Sequence, residues 1–293
     1  MYDALADAIE RAESDHISLG ELALRTEAEA GLKTRAEIEA TLQRALDVMR
    51  SAIQRGDQGD LRSVSGLVGG DAAKLRAPKG PLGGTLFTDV LAGALAVQEV
   101  NAAMGVIVAA PTAGGAGVLP GVLLGLGVQK KLDDATLVRG LAVAGLVGAV
   151  VAVRASLSGA EGGCQAETGA AAGMAAAAGV EVLGGTPMQV AHAVALTMQG
   201  TLGLVCDPLG GLVEVPCVYR NATGGAIALA GIEMALAGVT FPIPVDEVID
   251  TMGEIGRSMD VRYRETAGGG LAATPTGRRL AKERLVELKG RRK

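Results

Sequence analysis

At 293 residues the chain has room for one large domain or two ordinary ones, and for a substantial core. That core has few rings to fill it: 49% of the residues are hydrophobic but only 2% aromatic, with 44 glycines and no tryptophan, which disfavours an aromatic-rich sandwich and favours close-packed helices. A formal charge of −5 and a pI near 5.2 give no global attraction to nucleic acid or to an anionic membrane.

The N-terminus, "MYDALADAIERAESD", is acidic and amphipathic and lacks the basic start and apolar run of a signal peptide, so a cytoplasmic location is expected. Three cysteines in a reducing compartment do not make a disulfide framework. Residues 1–56 read as a helical N-terminal arm. Ser18 with Glu21, and Thr34 with Glu37, fit the capping box, and Gly31 and Gly56 are natural stops. Ile38, Leu42, Ala45, Leu46 and Met49 recur at three- and four-residue spacing, as an amphipathic helix packing on something larger requires.

Residues 57–88 are glycine-rich and too long for a mere connector; with the arm, they are the candidate face for a partner. Apolar helical segments follow at about 86–109, 119–130, 134–157, 166–179, 187–204 and 221–237, with another at 245–258. "ETAGGGLAATPTG" is a further loop, and "GRRLAKERLVELKGRRK" fits either a solvated helix end or a partner-docking tail. No alternating apolar and polar pattern asks for a sheet. The expectation is an all-α fold, a compact multi-helix domain with glycine-rich loops carrying the site: arm 1–56, catalytic domain 57–277, basic tail 278–293. A mean hydropathy of +0.34 raises the question of a membrane. The longest purely apolar run, Gly140 to Val153 between Arg139 and Arg154, is shorter than the roughly 18 to 20 residues a spanning helix needs, so these segments read as buried helices.

Polar residues collect at four breaks between helices: 63–74, 110–121, 161–169 and 206–225. Loops on a rigid scaffold are where sites are built, and glycine-rich turns expose amides that bind a carboxylate or a phosphate. "PTAGGAG" before a helix and "NATGG" opening one would place free donors, with the Thr112 and Thr223 hydroxyls, at helix N-termini; a tight helix-to-helix turn accounts for either loop equally well.

The cysteines fall in these polar stretches at 164, 206 and 217. A structural zinc site wants four ligands, and only His16 and His192 are in reserve, the latter mid-helix. A catalytic thiol wants a histidine base, and none is near. Buried inert thiols are the ordinary reading of cysteine. Three thiolates also suit a [4Fe–4S] cluster with one iron free of protein ligands, since clusters that only transfer electrons are closed by four. An open iron is a Lewis acid able to hold a substrate hydroxyl.

"GCQAETGAAAGMAAAA", "LGLVCDPLGGLVEVPCVYRNATGG", "APTAGGAGVLPG" and "SGLVGGDAAKL" together resemble the α chain of the iron–sulfur-dependent L-serine dehydratases, over about residues 60–277. The resemblance implies deamination of L-serine to pyruvate and ammonia by a [4Fe–4S] cluster held by Cys164, Cys206 and Cys217, without pyridoxal phosphate. It implies a separate β chain, in a heterodimer or a dimer of heterodimers. Ser65, Thr112, Gly114, Asn221 and Thr223 are the candidate substrate-binding residues. Lys74 is the candidate base unless the β chain supplies one, and Glu167 and Arg220 flank the cysteines, Arg220 within reach of Asp207 or Glu214 as a partner. Three other readings stand beside this one. A related lyase could act on cysteine or threonine, and a non-catalytic helical subunit could hold a structural metal. A pyridoxal-phosphate enzyme would use "GGGL" at 268–271, where no strand-and-helix alternation surrounds it.

Overall fold

The computed structural model describes residues 2–77 and 85–290, with side chains for 2–77 and 86–284. Residues 78–84 of the glycine-rich segment, and the side chains of the basic tail beyond residue 284, lie outside the described residues. The described residues form thirteen α-helices: α1 (Leu5–Ser14), α2 (Leu19–Glu29), α3 (Arg35–Gly56), α4 (Asp71–Arg76), α5 (Thr85–Ala102), α6 (Val118–Lys130), α7 (Asp134–Arg154), α8 (Gly159–Gly162), α9 (Ala170–Val182), α10 (Pro187–Met198), α11 (Cys217–Leu236), α12 (Val245–Ser258) and α13 (Pro275–Gly290). They contain no strand, and an isolated bridge pairs Cys206 with Arg264. The all-α expectation holds.

Every residue of α9, "AAAGMAAAAGVEV", is buried, and α6, α7, α10 and α11 pack around it. Small side chains let the backbones close in. At Gly179 a Cβ would lie 2.2 Å from Ile232 Cδ1 on α11, so any side chain there would force Ile232 to move. α7 is long and apolar enough to cross a membrane, yet 67% of its apolar window is buried against protein. Its apolar residues serve helix packing.

The arm is built from local rules and then tied down by distant carboxylates. At α3 the full capping box forms: the Glu37 amide donates to Thr34 Oγ1, and the Thr34 amide to the Glu37 carboxylate. At α2 only half of it forms, because Arg35 and Arg25 draw the Glu21 carboxylate away. Asp246 on α12 accepts from the Leu5 and Ala6 amides at 2.9 and 3.0 Å, and so caps α1 from the far end of the chain. Glu181 on α9 accepts from Ser18 Oγ at 2.6 Å and from the Gly20 amide at 3.1 Å.

Several boundaries differ from the sequence reading. Helix α5 ends at Ala102 rather than 109, because Met104 turns to φ 63° and the Gly105 amide returns to Val100 O. A π-helical turn, Gln165–Gly169, precedes α9, and α10 stops at Met198 in a 3₁₀ turn. Helix α11 begins at Cys217, not 221, so "NATGG" lies within the helix and its amides serve helix bonds. Gly56 is the last residue of α3, where a Cβ would strike Ala96 O at 2.4 Å; close packing on α5 is its structural reason.

Candidate active site

The three thiols arrive on three separate segments, and all are buried and free. Cys164 follows α8, which closes at Gly163 with φ 75°, a conformation that favours glycine. Its Sγ lies 3.1 Å from Thr168 Oγ1. Gln165 pins this turn: its amide nitrogen donates to Gly162 O and Met252 O, and its oxygen accepts from the Gly203 amide. Cys206 is held by the bridge, its amide donating to Tyr263 O at 2.8 Å and its carbonyl accepting from the Glu265 amide at 2.9 Å. Cys217 opens α11.

One turn on, Asn221 is fully buried and satisfied on all sides. It donates to Gly114 O at 2.7 Å and Cys217 O at 2.9 Å, and accepts from the Gly117 amide at 2.9 Å. It thereby ties the 111–117 loop to the cysteine-bearing helix. Gln98, fully buried on α5, donates to Ala113 O at 2.8 Å and to Gly114 O at 3.3 Å. A Cβ on Gly117 would lie 2.3 Å from Ala94 O, so this loop also depends on glycine to seat against α5.

Electrostatics oppose free thiolates here. Burial pushes the Cys217 thiol up to about 12, with Cys164 and Glu167 adding to the rise. Burial likewise raises Cys206, reinforced by Cys164, Glu167, Cys217 and Glu265, and it raises Cys164 against the pull of Thr168 and Arg220. Burial works against the Arg220 cation, yet Cys164 and Asp207 raise it overall. Arg220 Nη1 donates to Val205 O and forms an ion pair with buried Asp207 Oδ1 at 2.8 Å, off the alignment of a hydrogen bond. Asp207 Oδ2 accepts from the Leu271 amide at 2.6 Å. Burial raises Glu167 as well, opposed by Thr112 Oγ1, which donates to its Oε1 at 2.8 Å. Glu167 Oε2 lies 3.8 Å from Cys206 Sγ.

The structure therefore gathers Cys164, Cys206, Cys217, Thr112, Gly114, Glu167, Arg220 and Asn221. Gly114 borders the Glu167 carboxylate, 2.9 Å from where its Cβ would be. Other sequence candidates lie differently. Lys74 has a side chain 75% exposed on α4 and pairs with Asp71 at 2.6 Å. Ser65 is buried and bonded to Glu214 by both its amide and its hydroxyl. Thr223 is exposed and bonds back to Arg220 O. Of the two partners in reach, Arg220 takes Asp207; Glu214 instead accepts from Ser63 and Ser65 and locks residues 63–68 to the start of α11. Gln98, Thr168 and Glu265 were not among the sequence candidates, and Glu214 stood only as a partner for Arg220. The one available signal was the polar run Gln98, Glu99 and Asn101 breaking an apolar stretch of helix.

The family model described as serine dehydratase alpha chain matches residues 14–272, a span that begins inside the arm, well before residue 60. The probable L-serine dehydratase alpha chain of Bacillus subtilis is 50% identical over 288 residues, 97% of this chain and 95% of that one. The L-serine dehydratase alpha chain of Peptoniphilus asaccharolyticus is 40% identical, covering 98% and 99%. The L-serine dehydratase of Streptomyces coelicolor is 41% identical over 85% of this chain but only 56% of its own length.

Proposed function

The chain belongs to the serine dehydratase alpha chain family, and on that premise we propose that it deaminates L-serine to pyruvate and ammonia together with a β chain, with Cys164, Cys206 and Cys217 holding a [4Fe–4S] cluster and no pyridoxal phosphate. The observation that carries this reading is the burial of three thiols from three segments, near enough that Cys164 raises Cys206 and Cys217, and Cys217 raises Cys206. Such a set stays protonated unless a strong cation claims it, and a bound metal deprotonates its thiols outright. Among the described residues no group of Cys, His, Asp and Glu could hold a single metal ion. Thiols that each take a different iron need not converge on one point, so the donor set fits a cluster better than zinc. The alpha-chain naming of two relatives matched over nearly all of their length supports a β-chain partner.

When bound, the cluster supplies a Lewis acid that makes hydroxide a tolerable leaving group. The chain's own residues set the frame. Asn221 and Gln98 fix the 111–117 loop, whose amides are suited to the serine carboxylate. Thr112 donates to Glu167 Oε1, which leaves Oε2 to hold a proton beside the thiols. Burial favours that protonated form. Lys74, exposed and held by Asp71, supports a reading in which the β chain removes the Cα proton. Loss of water leaves an aminoacrylate, which tautomerises and hydrolyses to pyruvate and ammonium.

The test is anaerobic. The chain is reconstituted with iron and sulfide, given L-serine with and without a β chain, and followed for pyruvate and for absorption before and after air. Pyruvate that requires the β chain and disappears in air with the cluster absorption supports the reading. Activity that survives loss of the absorption overturns it.

A further inference from the structure

A cavity of about 340 Å³ is lined by Ser156, Glu161, Gly162, Met252, Arg257 and Arg264 among others, and by none of the three cysteines, Thr112 or Glu167. Its wall is tight where α8 meets α12: a Cβ on Gly256 would lie 2.8 Å from Gly162 Cα. Arg257 lies along α12 with Nη1 3.2 Å from where a Cβ on Gly253 would stand, so that glycine leaves room for the guanidinium.

The charges in this cavity are unmatched. Arginines elsewhere in the chain, such as Arg35, Arg50, Arg76 and Arg154, are paired with carboxylates. Arg257 and Arg264 form no ion pair among the described residues, and Arg264 Nε is buried without a hydrogen-bond partner. A buried donor without an acceptor is costly, and two guanidiniums on one small cavity add mutual repulsion. Glu161 also lines the cavity; its Oε2 accepts from Ser156 Oγ at 2.6 Å, and it too lacks an ion pair among the described residues. Guanidinium groups match a carboxylate in a planar, two-point fashion, and a carboxylate matches an ammonium.

We infer that this cavity is a separate binding site for a small α-amino acid, with its carboxylate on Arg257 and Arg264 and its ammonium on Glu161. An occupant would be felt at the thiols. Arg264 lies between Tyr263, whose carbonyl accepts from the Cys206 amide, and Glu265, whose amide donates to the Cys206 carbonyl. The inference does not rest on the lyase reading, because binding is measured without turnover.

The experiment is calorimetric titration of the full chain with glycine, which has both charges and no hydroxyl to eliminate, beside acetate, which lacks the ammonium. Saturable glycine binding near millimolar affinity is expected. R257Q and R264Q should each weaken it at least about tenfold, equal to 1.4 kcal/mol. E161Q should weaken glycine but not acetate. The glycine binding that R257Q weakens should persist in Thr112→Ala, which separates this cavity from the 111–117 loop. Arg257 is exposed, so R257Q keeps the test decisive if R264Q fails to fold, and circular dichroism checks both. Binding unchanged in folded R257Q, or abolished by Thr112→Ala alone, overturns the inference, as does acetate binding as tightly as glycine.

Discussion

Carboxylates around the arm and carboxylates in the interior are held in opposite ways. Arg35, followed by Arg25, brings Glu21 down to about 2, and Arg50 of the arm does the same for Asp134 at the start of α7. Burial instead raises Glu99, Glu167 and Glu181 above the ordinary carboxylate range. The first group gains from ionising, through partners that solvent can screen. The second has hydroxyl and backbone donors, and it trades solvation for a fixed position: Glu181 anchors α2, Glu99 caps α4 through the Asp71 amide, and Glu167 borders the thiols. Charge joins the arm's own helices and ties Arg50 to α7, whereas the buried carboxylates fix positions by geometry, Glu181 holding the arm itself at α2.

Five changes break or sharpen that contrast. The largest effect is expected from Cys164→Ser, which should abolish both cluster absorption and pyruvate formation while the arm still unfolds normally by circular dichroism. Gly117→Ala comes next: its methyl would meet Ala94 O at 2.3 Å, and overpacking of this kind costs about 1 to 3 kcal/mol. Thermal denaturation should show it, with activity falling further than stability because Asn221 loses its grip on the loop. A pH series tests the carboxylates directly. Glu21 stabilises the fold above its unfolded value near 4.5, and that contribution is lost as pH falls toward about 2. Glu21→Gln should therefore cost about 0.5 to 1 kcal/mol at neutral pH and nothing near pH 2. Glu181 has the opposite sign. Its raised value favours folding below the unfolded pKa, and this advantage is lost as pH rises through the folded one. Relative to Glu181→Gln, the unchanged protein should lose stability from about pH 4.5 toward neutrality, measured by urea midpoint; slopes of equal sign in both variants would erase the contrast. The smallest effect belongs to Arg11→Ala, whose i,i+4 pair with Asp15 is open to solvent; the melting temperature should not move measurably.

How much of this was legible follows the same division. Thr34 with Glu37 and the spacing of Ile38, Leu46 and Met49 are local, so a sequence displays them directly. The three cysteines stand out because they interrupt oily helices with polar loops. What stayed hidden depends on partners far along the chain. Ser65 carries no mark that its hydroxyl belongs to Glu214, and the start of α11 at Cys217 was obscured by a glycine-rich stretch that looked like the helix opening. Glu21 matches a cap pattern as well as Thr34 and Glu37 do, but two arginines compete for it only once the arm is folded. Spacing identifies donors and acceptors; it does not say which of them will meet.

The bridge between Cys206 and Arg264 has a consequence for the order of synthesis. Cys206 is bonded on both sides of its peptide to Tyr263 and Glu265, and Asp207 to the Leu271 amide. A chain emerging from the ribosome cannot cap α1 until Asp246 has left the tunnel, nor complete the thiol pocket until residue 271 has. Until then three reduced sulfurs wait in an unfinished fold. On the proposed reading, delivery of a cluster would be a step for the finished chain, and the interval before it is when oxygen can do the most harm.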